Sequence, residues 1–353
     1  MCVAKFFGRR KTMALLDRIS AQIGMPPPRL HVVKDSEPTI STDKNERPET
    51  FEDFIGQETV RYNLATTCNY ALKKNVVPDH ILLAGPPGLG KTSLAKAAAT
   101  KLGWRYIEIP ATALDNIKAV ASQLARIGEF EDGPCVVFID EIQVLCKKGM
   151  TLLLSALQEG WFQVSGSKPF YLAPFVLIAA TTNPGKLDRP LKDRFGVQET
   201  LEFYELDEMV KIINRYADRV GAELGEGAAE VIANVGRETP RIATALLRRV
   251  ITMCDVAESD ITEQNTLDAL QQIGVDQHGL TKPDRALINA LCGNSRPIGL
   301  IALASLLNTD NDTVTELEPY LQRKGFIERR GQGRVATKKG YRAVGLTPPA
   351  WTP

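Results

Sequence analysis

The sequence lacks the features that would tie it to a membrane, a disulfide framework or a resident metal. None of its apolar runs approaches the roughly 20 residues that a bilayer-spanning helix requires. Its six cysteines are scattered, with no C-x-x-C pair, and read as reduced thiols of a cytoplasmic protein. The three histidines, His31, His80 and His278, stand alone and suit structural or surface roles better than ligation. Charge of one sign is also missing. A formal net charge of +1 creates no global field, so attraction to nucleic acid has to come from a local patch. Lys5, Arg9, Arg10 and Lys11 make the first residues basic, but no long apolar segment follows them, and a secretory signal is not expected.

What is present centres on Gly85-Pro86-Pro87-Gly88-Leu89-Gly90-Lys91-Thr92. This is G-x-x-x-x-G-K-T between the apolar run Ile81–Leu83 and the helix-forming stretch from Ser93 to Lys101. Backbone N–H groups of such a loop wrap a phosphate at a helix N-terminus. Gly85, Gly88 and Gly90 permit close backbone approach. Lys91 reaches the β- and γ-phosphates, and Thr92 offers its hydroxyl to Mg²⁺. With Ser93, these residues form the expected phosphate site. A Gly/Pro-rich turn is the plainer alternative, but every fixed position of the motif is filled in the right context.

With 353 residues the expectation is two or three domains. Residues 1–46 read as a flexible extension with a short amphipathic helix over Met13–Ile23, ended by Pro26, Pro27 and Pro28. Val60, Leu64, Cys68 and Leu72 share one face of a helix that starts at Glu58. The apolar residues just before it, Phe51, Phe54 and Ile55, suit either an adenine pocket or plain core. Downstream of the P-loop, Cys135–Ile139 is a continuous apolar run of the kind found in strands buried on both faces, and it ends in Asp140-Glu141. A parallel strand would deliver both carboxylates to the sheet edge beside the P-loop. There Asp140 can support Mg²⁺, and Glu141 can take a proton from an attacking water. A hairpin is expected over Trp161–Leu172, and then a third buried strand, Phe175–Ala180. Its end, Thr181-Thr182-Asn183, can orient the lytic water or touch the γ-phosphate. Arg194 follows Asp193, and that spacing by itself favours a surface salt bridge.

Residues 204–275 read as helical, with apolar stripes at Met209, Val210, Ile213 and Tyr216 and at Leu246, Leu247, Val250 and Met253. Arg241, directly after Pro240 at a helix start, stands out from a solvated face. A polar stretch over Gln277–Lys282 marks a boundary. Three helices follow, the third opened by Thr313-x-x-Glu316 as a capping box, and then two short strands around Gly331-Gln332-Gly333. Three helices and a hairpin spell a winged helix. From Arg323 to Arg342 the segment holds eight basic residues against Glu328 as the only acid. Such cations suit phosphate contacts that position a protein on DNA without reading sequence.

In order, Ile55-Gly56-Gln57, Gly85 to Thr92, Ile139-Asp140-Glu141-Ile142, Ala180-Thr181-Thr182, Asp193 to Tyr204 and Thr239-Pro240-Arg241-Ile242-Ala243 resemble the AAA+ ATPases. Within them the likeness is greatest to the RuvB type of Holliday junction branch-migration motor, over roughly residues 47–343. The resemblance implies an α/β P-loop core, a parallel sheet with helices on both faces, over 47–203. A helical lid over 204–276, a winged helix over 277–345 and a tail over 346–353 would follow. It reverses the reading of Arg194, whose family counterpart acts on the neighbouring subunit's ATP. Thr182, with Asn183 beside it, matches a sensor of the γ-phosphate, and Arg241 matches a second sensor. Arg47 and Tyr204 fall where the family contacts nucleotide, and Arg329 and Arg334 match wing arginines that contact DNA. Implied partners are duplex arms of four-way junctions, a homo-hexameric ring and a RuvA-like junction-binding protein.

The chain also departs from the family. Gln143 stands where the family usually has His, and Lys192 where it has Arg. The Trp161–Leu172 hairpin, where RuvA docks in the family, is several residues shorter, which leaves dependence on that partner open. The expected activity is ATP-driven movement of duplex DNA in recombination and repair. The rivals are a nucleotide-switched winged-helix regulator and a clamp-loader-like remodeller.

Overall fold

The apolar run Cys135–Asp140 is a strand, β3, with its first five residues fully buried, and it lies inside a layered domain. A computed structural model describes residues 47–111, 114–128, 133–164, 166–350 and 352. The helix expected over Met13–Ile23 and the rest of the N-terminal extension lie outside those residues. Strands β1 (His80–Ala84), β2 (Arg105–Pro110), β3, β6 (Phe175–Thr181) and β7 (Phe195–Thr200) form one sheet in the order β2-β3-β6-β1-β7, all neighbours parallel. Parallel strands need crossover connections, and helices supply most of them here. Lys91–Leu102, Ile117–Leu124 and Lys147–Glu159 are the long ones, while the helix Glu58–Lys74 precedes β1. β6 is buried at all seven positions, as a central strand covered on both faces must be.

Because all five strands run the same way, their C-terminal ends meet at one edge. The order places β6 between β3 and β1, so Thr181 lies between Asp140-Glu141 and the P-loop. A separate two-stranded hairpin, β4 (Trp161–Phe162) with β5 (Phe170–Tyr171), projects from this domain. Trp161 and Tyr171 pair across it, their rings 6.5 Å apart, and Tyr171 is 68 % exposed.

The described residues divide into two compact units at Tyr204 and Glu205. The second unit begins with four helices, Leu206–Val220, Ala228–Val235, Pro240–Val256 and Glu263–Ile273. It continues with Lys282–Cys292, Leu300–Leu306 and Asn311–Arg323, then β8 (Ile327–Arg330) and β9 (Gly333–Ala336) as an antiparallel pair, and a last helix, Lys338–Ala343. Leu287, Ile288, Leu303, Val314 and Leu321 are fully or almost fully buried and make the core of this winged helix.

One local expectation is corrected. The third winged-helix helix opens three residues before the expected Thr313 box. Asp310 is its N-cap, accepting from the Thr313 N–H at 2.7 Å and from the Thr313 hydroxyl at 3.0 Å. A carboxylate facing the positive end of a helix satisfies two donors at once, which Thr313 cannot do from inside the first turn. β9 also pairs on both sides, since Arg334 exchanges backbone hydrogen bonds with Ile298 at 2.8 and 2.9 Å. It is therefore a central strand, and its side chains are buried.

Candidate nucleotide site and DNA-facing surface

The P-loop owes its shape to glycines that no other residue replaces easily. Gly85 and Gly90 have φ of 139° and 104°, outside the range of ordinary residues. A Cβ on Gly85 would lie 2.8 Å from the Leu201 carbonyl oxygen, and one on Gly90 would lie 2.7 Å from the Phe54 ring. Phe54 is thus a floor beneath the loop, and Tyr204 closes the side by donating from its hydroxyl to the Leu89 carbonyl at 2.9 Å. The Tyr204 side chain thus meets the backbone of the loop.

Lys91 starts the helix Lys91–Leu102 and is 7 % exposed. Its ammonium donates to the Gly85 and Pro86 carbonyls at 2.7 and 2.9 Å, so the charge lies within the curve of the loop. Burial pushes its pKa down, while Asp140 and Glu141 act in the opposite direction. Thr92 is half-buried and Ser93 buried in the same first turn, and Gly88, with φ of 82°, completes the loop.

At the end of β3 the two carboxylates differ. Desolvation first, and Glu141 second, raise the pKa of Asp140, with Lys91 opposing. Burial also lifts Glu141, but donors from Gln143 and Thr182 outweigh it, and the net shift is downward. Their surroundings thus push two adjacent carboxyl groups in opposite directions. Oxygen donors at Thr92 and Asp140 suit a hard cation that keeps much of its water shell. No three His, Cys, Asp or Glu side chains converge on a metal position among the described residues. Mg²⁺ needs no such cluster, because one or two protein oxygens and the phosphates themselves hold it. The residues present fit both groups.

Arg194 does not make the salt bridge that its spacing favours. Asp193 lies 3.9 Å from Arg189 instead, and Arg194, exposed, donates to the Gln158 side chain at 2.7 Å. The helix Arg189–Lys192 puts residues 189 and 193 one turn apart, which decides the competition. Arg47 is exposed near the start of the described chain, within electrostatic reach of Tyr106. Arg241 is exposed in the first turn of Pro240–Val256.

On the wing, Arg329 and Arg330 are exposed, as are Lys338, Lys339 and Arg342. Arg334 is not, and its expected DNA contact is corrected. It is 7 % exposed and forms a two-pronged pair with Glu318, itself 5 % exposed. An arginine on a central strand meets the helix packed over that strand, and Glu318 is the group it finds there. Sequence reading passed over Glu318, and it treated Gln143 only as a departure. Neither belongs to a local motif that would have marked it.

Family models account for the whole arrangement in sequence order. "Holliday junction DNA helicase RuvB P-loop domain" matches residues 46–201, "RuvB AAA lid domain" matches 204–276, and "RuvB C-terminal winged helix domain" matches 277–345. The Holliday junction branch migration complex subunit RuvB of Corynebacterium jeikeium is 39 % identical over 321 residues, covering 88 % of this chain and 90 % of that protein. The chain belongs to the RuvB family. A second relative, the RuvB subunit of Mycolicibacterium smegmatis, is 40 % identical over 318 residues, covering 87 % of this chain and 90 % of its own. The solved structure of the Thermotoga maritima RuvB Holliday junction branch migration motor superposes with a TM-score of 0.77 at 36 % identity, covering 87 % of this chain and all of that one. The RuvB P-loop domain brings nucleotide binding with it, and no helix among the described residues is long and apolar enough to cross a membrane.

Proposed function

We propose that this RuvB-family ATPase is the motor subunit that drives branch migration of four-way DNA junctions, working as a homo-hexameric ring. The observation that carries the reading is the shared sheet edge, where Asp140, Glu141 and Thr182 stand beside the Lys91 loop in a chain of RuvB type throughout. Lys91 neutralises the β- and γ-phosphates of ATP, and the loop N–H groups hold them. Mg²⁺, held by the Thr92 hydroxyl and the Asp140 carboxylate, would offset the negative charge that gathers on the phosphates. Glu141 takes the proton of the attacking water. Thr182 and Arg241 sense the γ-phosphate, Arg194 acts on the neighbouring subunit's site, and Arg47 and Tyr204 border the nucleotide. The work divides among the P-loop domain over 47–203, the lid over 204–276 and the winged helix over 277–345. Free thiols among the described residues suit a cytoplasmic setting.

Arg329 supplies a phosphate contact from the wing. The third winged-helix helix does not favour a sequence-reading regulator, because its exposed face carries Asp312 and Glu316, which phosphates repel. A RuvA-like protein is the partner that the family implies, and the short β4–β5 hairpin with its exposed Tyr171 is where it would dock.

The test is ATP-dependent strand separation of a synthetic four-way junction, with linear duplex and Glu141→Gln protein as controls and with a RuvA-type protein present or absent. Junction resolution lost in the Glu141→Gln protein is the expected result. Sequence-selective duplex binding without hydrolysis would give the site to the regulator instead.

A further inference from the structure

Glu141 is held by more than its place in the chain. Its Oε2 accepts from the Thr182 hydroxyl at 2.9 Å, from the Thr182 backbone N–H at 3.3 Å, and from the side-chain amide of Gln143. Gln143 is itself anchored, since its Oε1 accepts from the Thr181 hydroxyl at 2.6 Å. Thr181 is fully buried, and its Oγ also accepts from the Asn183 N–H at 3.1 Å. The direction of the Gln143 amide follows from chemistry. An ionised carboxylate only accepts, so the NH₂ must face Glu141, and the carbonyl is left for the Thr181 proton. Glu141 has left-handed backbone, φ 53° and ψ 47°, a conformation that persists in a non-glycine residue only where its surroundings enforce it.

The two threonines have different freedom. Thr182 is exposed, and Thr181 is 0 % exposed. A hydroxyl has one proton to give. When Thr182 directs its proton to a γ-phosphate, it can no longer donate it to Glu141. The Gln143 amide can keep doing so, because its support comes from the buried Thr181. We propose that Gln143 is a positioning residue of the hydrolytic site, braced by Thr181, that holds the Glu141 carboxylate by Oε2 and leaves Oε1 for the attacking water while Thr182 engages the nucleotide. This rests on the reading of Glu141 as the group that activates water. A neutral histidine at position 143 would meet the same demand, donating from one ring nitrogen to Glu141 and accepting at the other from Thr181.

The test compares full-length Gln143→Met, Gln143→His, Thr181→Val and the Gln143→Met/Thr181→Val double variant, with Glu141→Gln as reference. Steady-state ATP hydrolysis is measured beside equilibrium binding of a non-hydrolysable ATP analogue and thermal melting. Gln143→Met keeps the length of the side chain and removes both polar ends. It should lower kcat by about ten- to a hundredfold, the scale of a small misplacement of a catalytic group, with KM, analogue affinity and Tm unchanged. Gln143→His should retain most of the activity. The double variant should be no slower than Gln143→Met alone, because both changes remove one brace. Wild-type kcat in Gln143→Met would overturn the assignment, as would a fall in kcat matched by lost analogue affinity or lower Tm, or full additivity in the double variant. Hydrolysis that persists in Glu141→Gln would instead remove Glu141 from its proposed role, a failure separate from that of Gln143.

Discussion

Both halves of this protein bury charge, and they do so in opposite ways. At the sheet edge Lys91, Asp140 and Glu141 lie close together, yet none is closed into an ion pair. Lys91 leans on carbonyls, and Glu141 leans on a threonine and an amide. In the C-terminal unit the charges cancel directly. Arg334 meets Glu318, and Arg237 meets Asp284, which is 0 % exposed and also accepts from the Thr281 hydroxyl at 2.5 Å. Glu238 is shared between Arg323 at 2.6 Å and Lys324 at 2.5 Å. Charges propped by neutral groups keep their interaction for a ligand. Charges closed on each other have already used it, and removing one partner strands the other.

The comparison can be broken by substitution, and the largest effect should come from the propped side. Arg194→Ala should slow hydrolysis by about a thousandfold or more, the scale of a lost arginine finger. Mixing it with Lys91→Ala subunits should restore part of the rate, because each supplies what the other lacks. A normal rate in Arg194→Ala alone would return Arg194 to a surface role beside Gln158.

On the closed side, Arg334→Ala should destabilise the C-terminal unit by about 3–5 kcal/mol, measured by denaturant unfolding, because Glu318 is left buried and unpaired. The double change Arg334→Met/Glu318→Leu should recover most of that. Recovery would mark the pair as a packing device. The exposed neighbour should behave in the opposite way. Arg329→Ala should leave unfolding unchanged, weaken binding to all duplexes alike and reduce the salt slope of binding by about 1.

The smallest effect is set by pH. Burial tends to raise the Glu238 pKa, but hydrogen bonds from Lys324 and Arg323 and their charges bring it below its ordinary 4.5. A carboxylate depressed on folding stabilises the native state fully above its unfolded value, and that contribution fades as pH falls through its folded value. Wild-type and Glu238→Gln proteins should therefore differ in stability at neutral pH and converge in an acid titration below 4.5. A constant difference down to low pH would show that Glu238 acts by packing.

Much of this architecture is legible in the sequence. The P-loop announces itself because its geometry needs glycines at fixed spacing, followed by a lysine and a hydroxyl. β3 and β6 announce themselves because a strand buried on both faces must be apolar throughout. Local chemistry decides such features, so a local window reveals them. Asp310 displaced Thr313 as a helix cap because a carboxylate three residues earlier answered the same N–H groups, a contest that a motif alone does not judge.

The rest depended on which strand lies beside which. Local residue patterns set the nucleotide loop, the pair of acids after β3, the helical lid and the wing. Packing decides that Gln143, beside Glu141 after β3, meets Thr181 on the neighbouring β6, and that Arg334 turns in to Glu318 while Arg329 faces solvent; the helix turn at Arg189–Lys192 gives Asp193 to Arg189 instead of Arg194. In each case the residue types are compatible with several partners. The strand order, or the turn of a helix, brings only one of them within hydrogen-bonding range, and that distance is a property of the packed chain.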